Sequence, residues 1–352
     1  MSEDQFDDIT VTMVDTGSIE VCVREISYHQ EAEPVVFVHG NISSSVFFYP
    51  AMQAMSPRWR PIAVDLRGFG GTDTAPVDAT RGLADFSDDV RDALDAHGVD
   101  DFHLVGWSMG GGVALQMLMD DPDRLRSVTL INPVSPFGFG STSGTDGRLL
   151  FPDAAGSGGG VASPDFVRAL QDGDAGDDSP SSPRGVLRTF YVAPGWDGRH
   201  EEIFVASMLS TSVGDDNYPG DAVASPNWPG TAPGSRGVLN TLAPTHLDLS
   251  GIVDVTPKPP ILWVRGALDQ IISDASMFDL AQLGSMGAVP GWPGADVAPP
   301  QPMIAQSRSV FDTYAGNGGR YTEKVFDACG HSPHIEDVDG FVAALQEHLE
   351  SV

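Results

Sequence analysis

A serine hydroxyl is a poor nucleophile at neutral pH unless a neighbouring base takes its proton and a carboxylate holds that base in the right tautomer. Three segments of this 352-residue chain supply those residue types in a workable context. Gly106, Trp107, Ser108, Met109, Gly110 directly follows the apolar stretch Phe102 to Val105 and opens a helical pattern. Ser108 therefore stands on a sharp strand-to-helix turn that exposes its oxygen, and the flanking glycines, with Gly111 and Gly112, give strand and helix room to approach. Gly266, Ala267, Leu268, Asp269 follows a second strand pattern, Ile261 to Val264, and Gly330, His331, Ser332, Pro333 follows a third. Ser108 as nucleophile, Asp269 as orienting acid and His331 as base then occur in the chain order that this chemistry uses on a parallel sheet.

Other residues compete for these roles. Nine histidines are present, of which His29 and His200 are expected to be exposed, His97 and His348 lie on helical patterns and His246 lies in the middle of the chain. His334 is the rival to His331, which is preferred because it directly follows Gly330 at a strand end. Asp248 and Asp254 are weaker rivals to Asp269. A tetrahedral intermediate also needs donors for its oxyanion. The N–H of Met109, at a helix N-terminus, is one, and the loop His39, Gly40, Asn41 after Val35 to Val38 offers that of Asn41 as the other. His39 is read as a brace for that loop, without proton transfer, and Cys329 as a small buried residue.

Strands and helices must bring these segments together. Short β-branched runs at 35–38, 62–64, 102–105 and 127–131 alternate with stretches long enough for helices, among them an amphipathic one from Phe86 to His97 stopped by Gly98. Such alternation predicts a mostly parallel sheet covered by helices on both faces. Ile9 to Val14 and Ile19 to Ile26 read as an antiparallel hairpin turning at Asp15, Thr16 and Gly17. The pattern breaks after Asn132, where the chain turns rich in Gly, Pro, Ser and Asp with only patches of helical pattern, chiefly at 183–192 and 199–211. A structureless loop of that length is improbable in a compact domain, so 133–259 is expected to be an inserted cap, with 1–132 and 260–352 forming one discontinuous domain. The alternation resumes with a strand at 261–264, helices at 273–283, 303–314 and 340–349, and a strand at 321–326. No internal repeat is visible.

Composition narrows the partners. Lys and Arg number 19 against 49 Asp and Glu, a formal charge of −30, which excludes a nucleic-acid or anionic-membrane surface. Asp supplies 38 of the acids and Lys258 and Lys324 are the only lysines, a bias that resembles proteins of salt-loving microbes. At molar salt the Debye length is about 3 Å and self-repulsion is screened. No run of eighteen apolar residues occurs and the first residues are acidic, so a cytoplasmic protein is expected. Cys22 and Cys329 are too far apart in sequence to suggest a metal or disulfide framework, and no metal or organic cofactor is implied.

Taken with His39, Gly40, Asn41 and with Asp65, Leu66, Arg67, Gly68, Phe69, Gly70, a segment assigned to packing and turning, the motifs resemble the α/β-hydrolase superfamily over about residues 20–132 and 260–350. That resemblance implies an α/β fold with a doubly wound, mostly parallel sheet and a large inserted cap. Asn41 and Trp107 are similar to the halide-holding pair of haloalkane dehalogenases, but those enzymes use Asp where this chain has Ser108. A serine implies an acyl-enzyme, and hence a small ester-like substrate hydrolysed by Ser108, His331 and Asp269. Lactones, the C–C bond of vinylogous diketones and perhydrolysis are alternatives on the same triad; an aminopeptidase using Glu201 and Glu202, or a non-catalytic scaffold, ranks lower. Trp107, Phe47, Phe48 and Trp228, with Trp196, are candidates to line an apolar acyl pocket.

Overall fold

The computed structural model describes residues 6–26 and 32–352, so His29 and the first acidic residues lie outside it. Eight strands form the central sheet: β1 (Ile9–Asp15), β2 (Glu20–Ile26), β3 (Glu33–Val38), β4 (Trp59–Val64), β5 (Phe102–Trp107), β6 (Leu125–Ile131), β7 (Ile261–Gly266) and β8 (Tyr321–Phe326). Their spatial order is β1-β2-β4-β3-β5-β6-β7-β8. β1 and β2 form the expected antiparallel hairpin, β2 pairs antiparallel with β4, and the pairs from β4 to β8 are parallel. Every residue of β5 is buried, as are all but one of β7, so both faces of the sheet centre are covered.

The helices are α1 (Tyr49–Ala54), α2 (Ala84–Ala96), α3 (Met109–Asp120), α4 (Pro164–Gln171), α5 (Pro183–Val186), α6 (Glu201–Leu209), α7 (Leu280–Ser285), α8 (Met303–Gly316), α9 (Pro333–Glu336) and α10 (Val338–Glu350). α1 packs on α10 and α2 on α3. The helix expected at 273–283 is shorter, beginning only at Leu280. Side chains before it capture the N–H groups a helix would use: Asp269 Oδ1 accepts from Ile271 and Ile272, Ser273 Oγ from Ala275, and Ser276 Oγ from Phe278. Such local bonds compete with helix formation. The patch at 183–192 divides into α5 and a π-helical turn over Leu187–Tyr191.

The stretch 133–259 leaves the sheet after β6 and returns at β7, and carries α4, α5, α6, three short two-stranded ribbons and long loops. Its Phe166, Leu187, Tyr191, Phe204 and Leu242 belong to the same apolar cluster as the sheet residues. Asn240 ties the loops: its amide donates to carbonyls of Asp221 and Arg236 while its oxygen accepts from Gly159 and Gly234. No helix among the described residues is long and apolar enough to cross a membrane.

Candidate active site

Ser108 follows β5 with φ +57° and ψ −118°, a conformation a non-glycine residue adopts only when its surroundings impose it. The surroundings here are two close approaches. A Cβ on Gly106 would stand 2.2 Å from the Gly110 carbonyl oxygen, and one on Gly110 would stand 2.3 Å from the carbonyl oxygens of both Val38 and His39. Ser108 itself donates its N–H to the Ile131 carbonyl (2.9 Å), and its carbonyl accepts from Gly111 and Val134. The turn is thus clamped between β3, β6 and α3, with Ser108 on the wall of a cavity.

Asp269 lies beyond β7 and His331 beyond β8, both buried. His331 Nδ1 donates to Asp269 Oδ2 at 2.8 Å, and the other carboxylate oxygen accepts the N–H groups of Ile271 (2.7 Å) and Ile272 (3.1 Å). With its proton on Nδ1, the imidazole keeps Nε2 as an acceptor. His331 and Ser108 line one cavity, although no hydrogen bond of the Ser108 hydroxyl occurs among the described residues. Such contacts are often long in unliganded sites and tighten on binding. The main chain of His331 is held as well: its carbonyl accepts from the Trp107 indole N–H and from Asn132 Nδ2, each at 2.9 Å.

Asn41 and Met109 border the same cavity, and neither of their backbone N–H groups has an acceptor among the described residues. The Asn41 loop is braced as expected. Leu66 N–H donates to His39 Nε2 (3.0 Å), leaving His39 Nδ1 to donate to the Gly40 carbonyl (2.7 Å). Full burial pushes the pKa of His39 down to about 4, so it stays neutral and structural. Asp65, read as a packing element, accepts from Ser45 N–H, Ser45 Oγ and Gly71 N–H and pairs with Arg24.

The cavity encloses about 340 Å³. Val134, Phe166, Val186, Phe190, Tyr191, Tyr218, Leu242 and Ile271 form much of its wall, and among the described residues no Asp, Glu, Lys or Arg lines it. Several expected lining residues are elsewhere. Trp107, Phe47 and Phe48 are fully buried behind the wall. Phe47 stacks on Trp107 at 5.2 Å and on Phe204 of α6 at 4.6 Å, so its area seats 133–259 on the sheet. Trp228 is partly exposed and donates its indole N–H to the Pro290 carbonyl. Trp196 packs at 6.3 Å from Phe204, also off the cavity wall. Because the Trp107 N–H is taken by His331, Trp107 and Asn41 offer the cavity no joint pair of donors.

The rivals also separate. His334 is fully buried among Phe48, Trp107 and Phe341, off the cavity wall, with burial holding its pKa well below that of free imidazole. Asp248 and Asp254 are exposed. Glu201 and Glu202 are claimed by Arg184, and Glu201 also by Arg188, away from the cavity. Cys329 is buried, its thiol pushed up to about 12 by desolvation. Among the described residues no three His, Cys, Asp or Glu side chains are grouped to hold a metal.

Sequence reasoning missed Asn132 and Glu336, which hold the backbone around His331. The one available signal was position: Asn132 at a strand end, where Asn tolerates its φ of +39°, and an acid five residues after His331.

The strand order and the serine turn are those of the α/β-hydrolase fold, and comparison with known proteins agrees on the fold. Residues 33–157 match the family described as alpha/beta hydrolase fold. Among curated proteins, the chain is 36% identical over 133 residues to RutD of Variovorax paradoxus, named as a carbamate hydrolase, covering 38% of this chain and 50% of that one. It is 32% identical over 108 residues to carboxylesterase YbfK of Bacillus subtilis, covering 31% and 36%. The chain thus spans half or less of the length of these relatives. Across nearly its whole length it superposes on the esterase EaEST of Exiguobacterium antarcticum (TM-score 0.59, 17% identity, 97% of this chain and 100% of that one). The enol-lactonase of Burkholderia xenovorans matches similarly (TM-score 0.56, 17%, 97% and 100%).

Proposed function

We propose that this protein is a carboxylic-ester hydrolase acting through an acyl-enzyme on neutral esters with an apolar acyl group. The observation that carries this reading is the cavity that Ser108 and His331 share, with His331 fixed by Asp269 at 2.8 Å. Ser108 attacks the ester carbonyl as His331 Nε2 takes its proton, and the N–H groups of Asn41 and Met109 receive the charge that develops on oxygen. His331 then protonates the departing alcohol, and water enters by the same route to release the acid. Residues 133–259 act as the cap, supplying most of the apolar wall.

The charge-free wall supports the substrate class. A carboxylate or ammonium moved into it would lose hydration without a partner, whereas an alkyl or aryl group gains from burial. The names carboxylesterase and carbamate hydrolase among relatives are in keeping with acyl transfer.

The test is hydrolysis of 4-nitrophenyl esters of rising acyl length in molar KCl, beside Ser108→Ala. Activity should fall by about a thousandfold or more in Ser108→Ala and favour apolar acyl groups over a succinyl half-ester. An unchanged rate for Ser108→Ala would defeat the reading. Silence of a folded wild type toward every ester would redirect it to lactones and C–C substrates on the same residues.

A further inference from the structure

We propose that Glu336 is a positioning residue for His331, its carboxylate gripping the backbone on both sides of the base and joining that loop to the cap at Ala193. This rests on the proposed roles of Ser108, His331 and Asp269. Glu336 Oε1 accepts from Gly330 N–H (2.9 Å) and Ser332 N–H (3.1 Å). Its Oε2 accepts from Gly330 N–H (3.0 Å) and from Ala193 N–H (2.6 Å). Gly330 and Ser332 flank His331, so the grip brackets the residue whose imidazole must meet Ser108. The approach of the cap is close: a Cβ on Gly330 would stand 2.9 Å from Ala193 N and 3.0 Å from the Val192 carbonyl carbon.

The same cap segment reaches the other half of the site. Tyr191, at the end of the π-helical turn and two residues before Ala193, donates its hydroxyl to the Asn41 carbonyl at 2.8 Å. Its ring meets that of His331 edge-on at 5.8 Å. Residues 191–193 therefore bridge the loop that offers the Asn41 N–H and the loop that carries His331. π-turns are uncommon and occur often at functional positions.

Glu336 gains little as a simple structural acid. Burial pushes its carboxyl above the usual range, while three N–H donors and His331 pull it back. Glutamine has the same shape but a single acceptor oxygen, so its NH₂ would face at least one backbone N–H. The loop would shift by a fraction of an ångström, and misplacements approaching 1 Å can cost about a hundredfold in rate.

The experiment compares full-length wild type, Ser108→Ala, Glu336→Gln and Glu336→Asp. Each is read for melting temperature, kcat and KM on the best 4-nitrophenyl ester, and rate of covalent labelling by a fluorophosphonate. Labelling of wild type but not of Ser108→Ala establishes the serine reading independently of Glu336; its failure would undo that reading first. With it in place, Glu336→Gln should fold, keep KM within about twofold and lose about 10- to 100-fold in both kcat and labelling rate. Glu336→Asp, which retains two acceptor oxygens, should recover part of both. Wild-type kcat and labelling in a folded Glu336→Gln overturn the proposal, as does a rise in KM alone. Failure of both variants to fold overturns it too, assigning Glu336 to the fold.

Discussion

Ser108, Asp269 and His331 come from positions 161 and 62 residues apart, yet each lies within five residues of the end of a parallel strand, and that is why they could be named from local pattern. What stayed hidden at this scale were the groups that hold them, since Asn132 and Glu336 are marked only by their place after a strand and after His331, and nothing in the spacing marks Tyr191. The buried histidines carry their own expectation. Burial lowers His39 and His348 to about 4, against 6.5 for the free side chain, and holds His334 well below that free value. Between pH 6.5 and 4 the unfolded chain therefore binds more protons than the folded one, and stability should fall as pH drops through that window. Glu25, held at about 2 by His97 and Arg60, adds a further loss below the ordinary carboxylate range. Melting temperature measured from pH 7 to 4.5 should decline, and less steeply in His348→Gln; equal slopes for the two proteins would contradict this assignment.

At the scale of elements, the inner strands were legible because their apolar runs are buried on both faces, and all eight strands, the largely exposed edge strands β1 and β8 included, appear within three residues of their expected ends. Helices failed where side chains could answer backbone donors, as at Asp269 to Asp279, or where a turn widened into a π-helix after Val186. The junction of β5 and α3 is the element on which the site depends most. Gly106→Ala should destabilise the protein by about 1–3 kcal/mol or more, because its Cβ would collide with main chain that cannot withdraw. Gly316→Ala, at the end of α8 with open space around it, should be neutral or stabilise by up to about 1 kcal/mol. Urea midpoints of the two variants provide the comparison, and a benign Gly106→Ala would show that the turn is looser than its contacts require.

For the whole molecule the governing quantity is a charge of −30. Arginines such as Arg24, Arg60, Arg67 and Arg184 are already engaged by carboxylates, so much of the acidic surface, including Asp172 and Asp248, repels itself unless salt intervenes. Raising KCl from 0.1 to 2 M should raise the melting temperature by about 5–10 °C, equivalent to roughly 4–7 kcal/mol for a chain of this size. A protein equally stable in both would refute a salt-adapted fold.

The amino-acid order alone determined the sheet's strands and the serine turn, because each is a local pattern, an apolar run or a glycine-flanked serine; the same kind of pattern singled out Asp269 and His331, which the proposed function casts as acid and base. Only the tertiary structure decided which aromatics face the cavity. Phe47, Phe48 and Trp107 are large enough to bind a substrate or to seat residues 133–259 on the sheet, and composition cannot choose between those uses. It also decided that the cavity wall is free of charged side chains in so acidic a chain, since that depends on which segments of 133–259 fold back over the strand ends. Burial is a property of the assembled molecule, set by contacts between residues a hundred or more positions apart, and no window of sequence contains both partners.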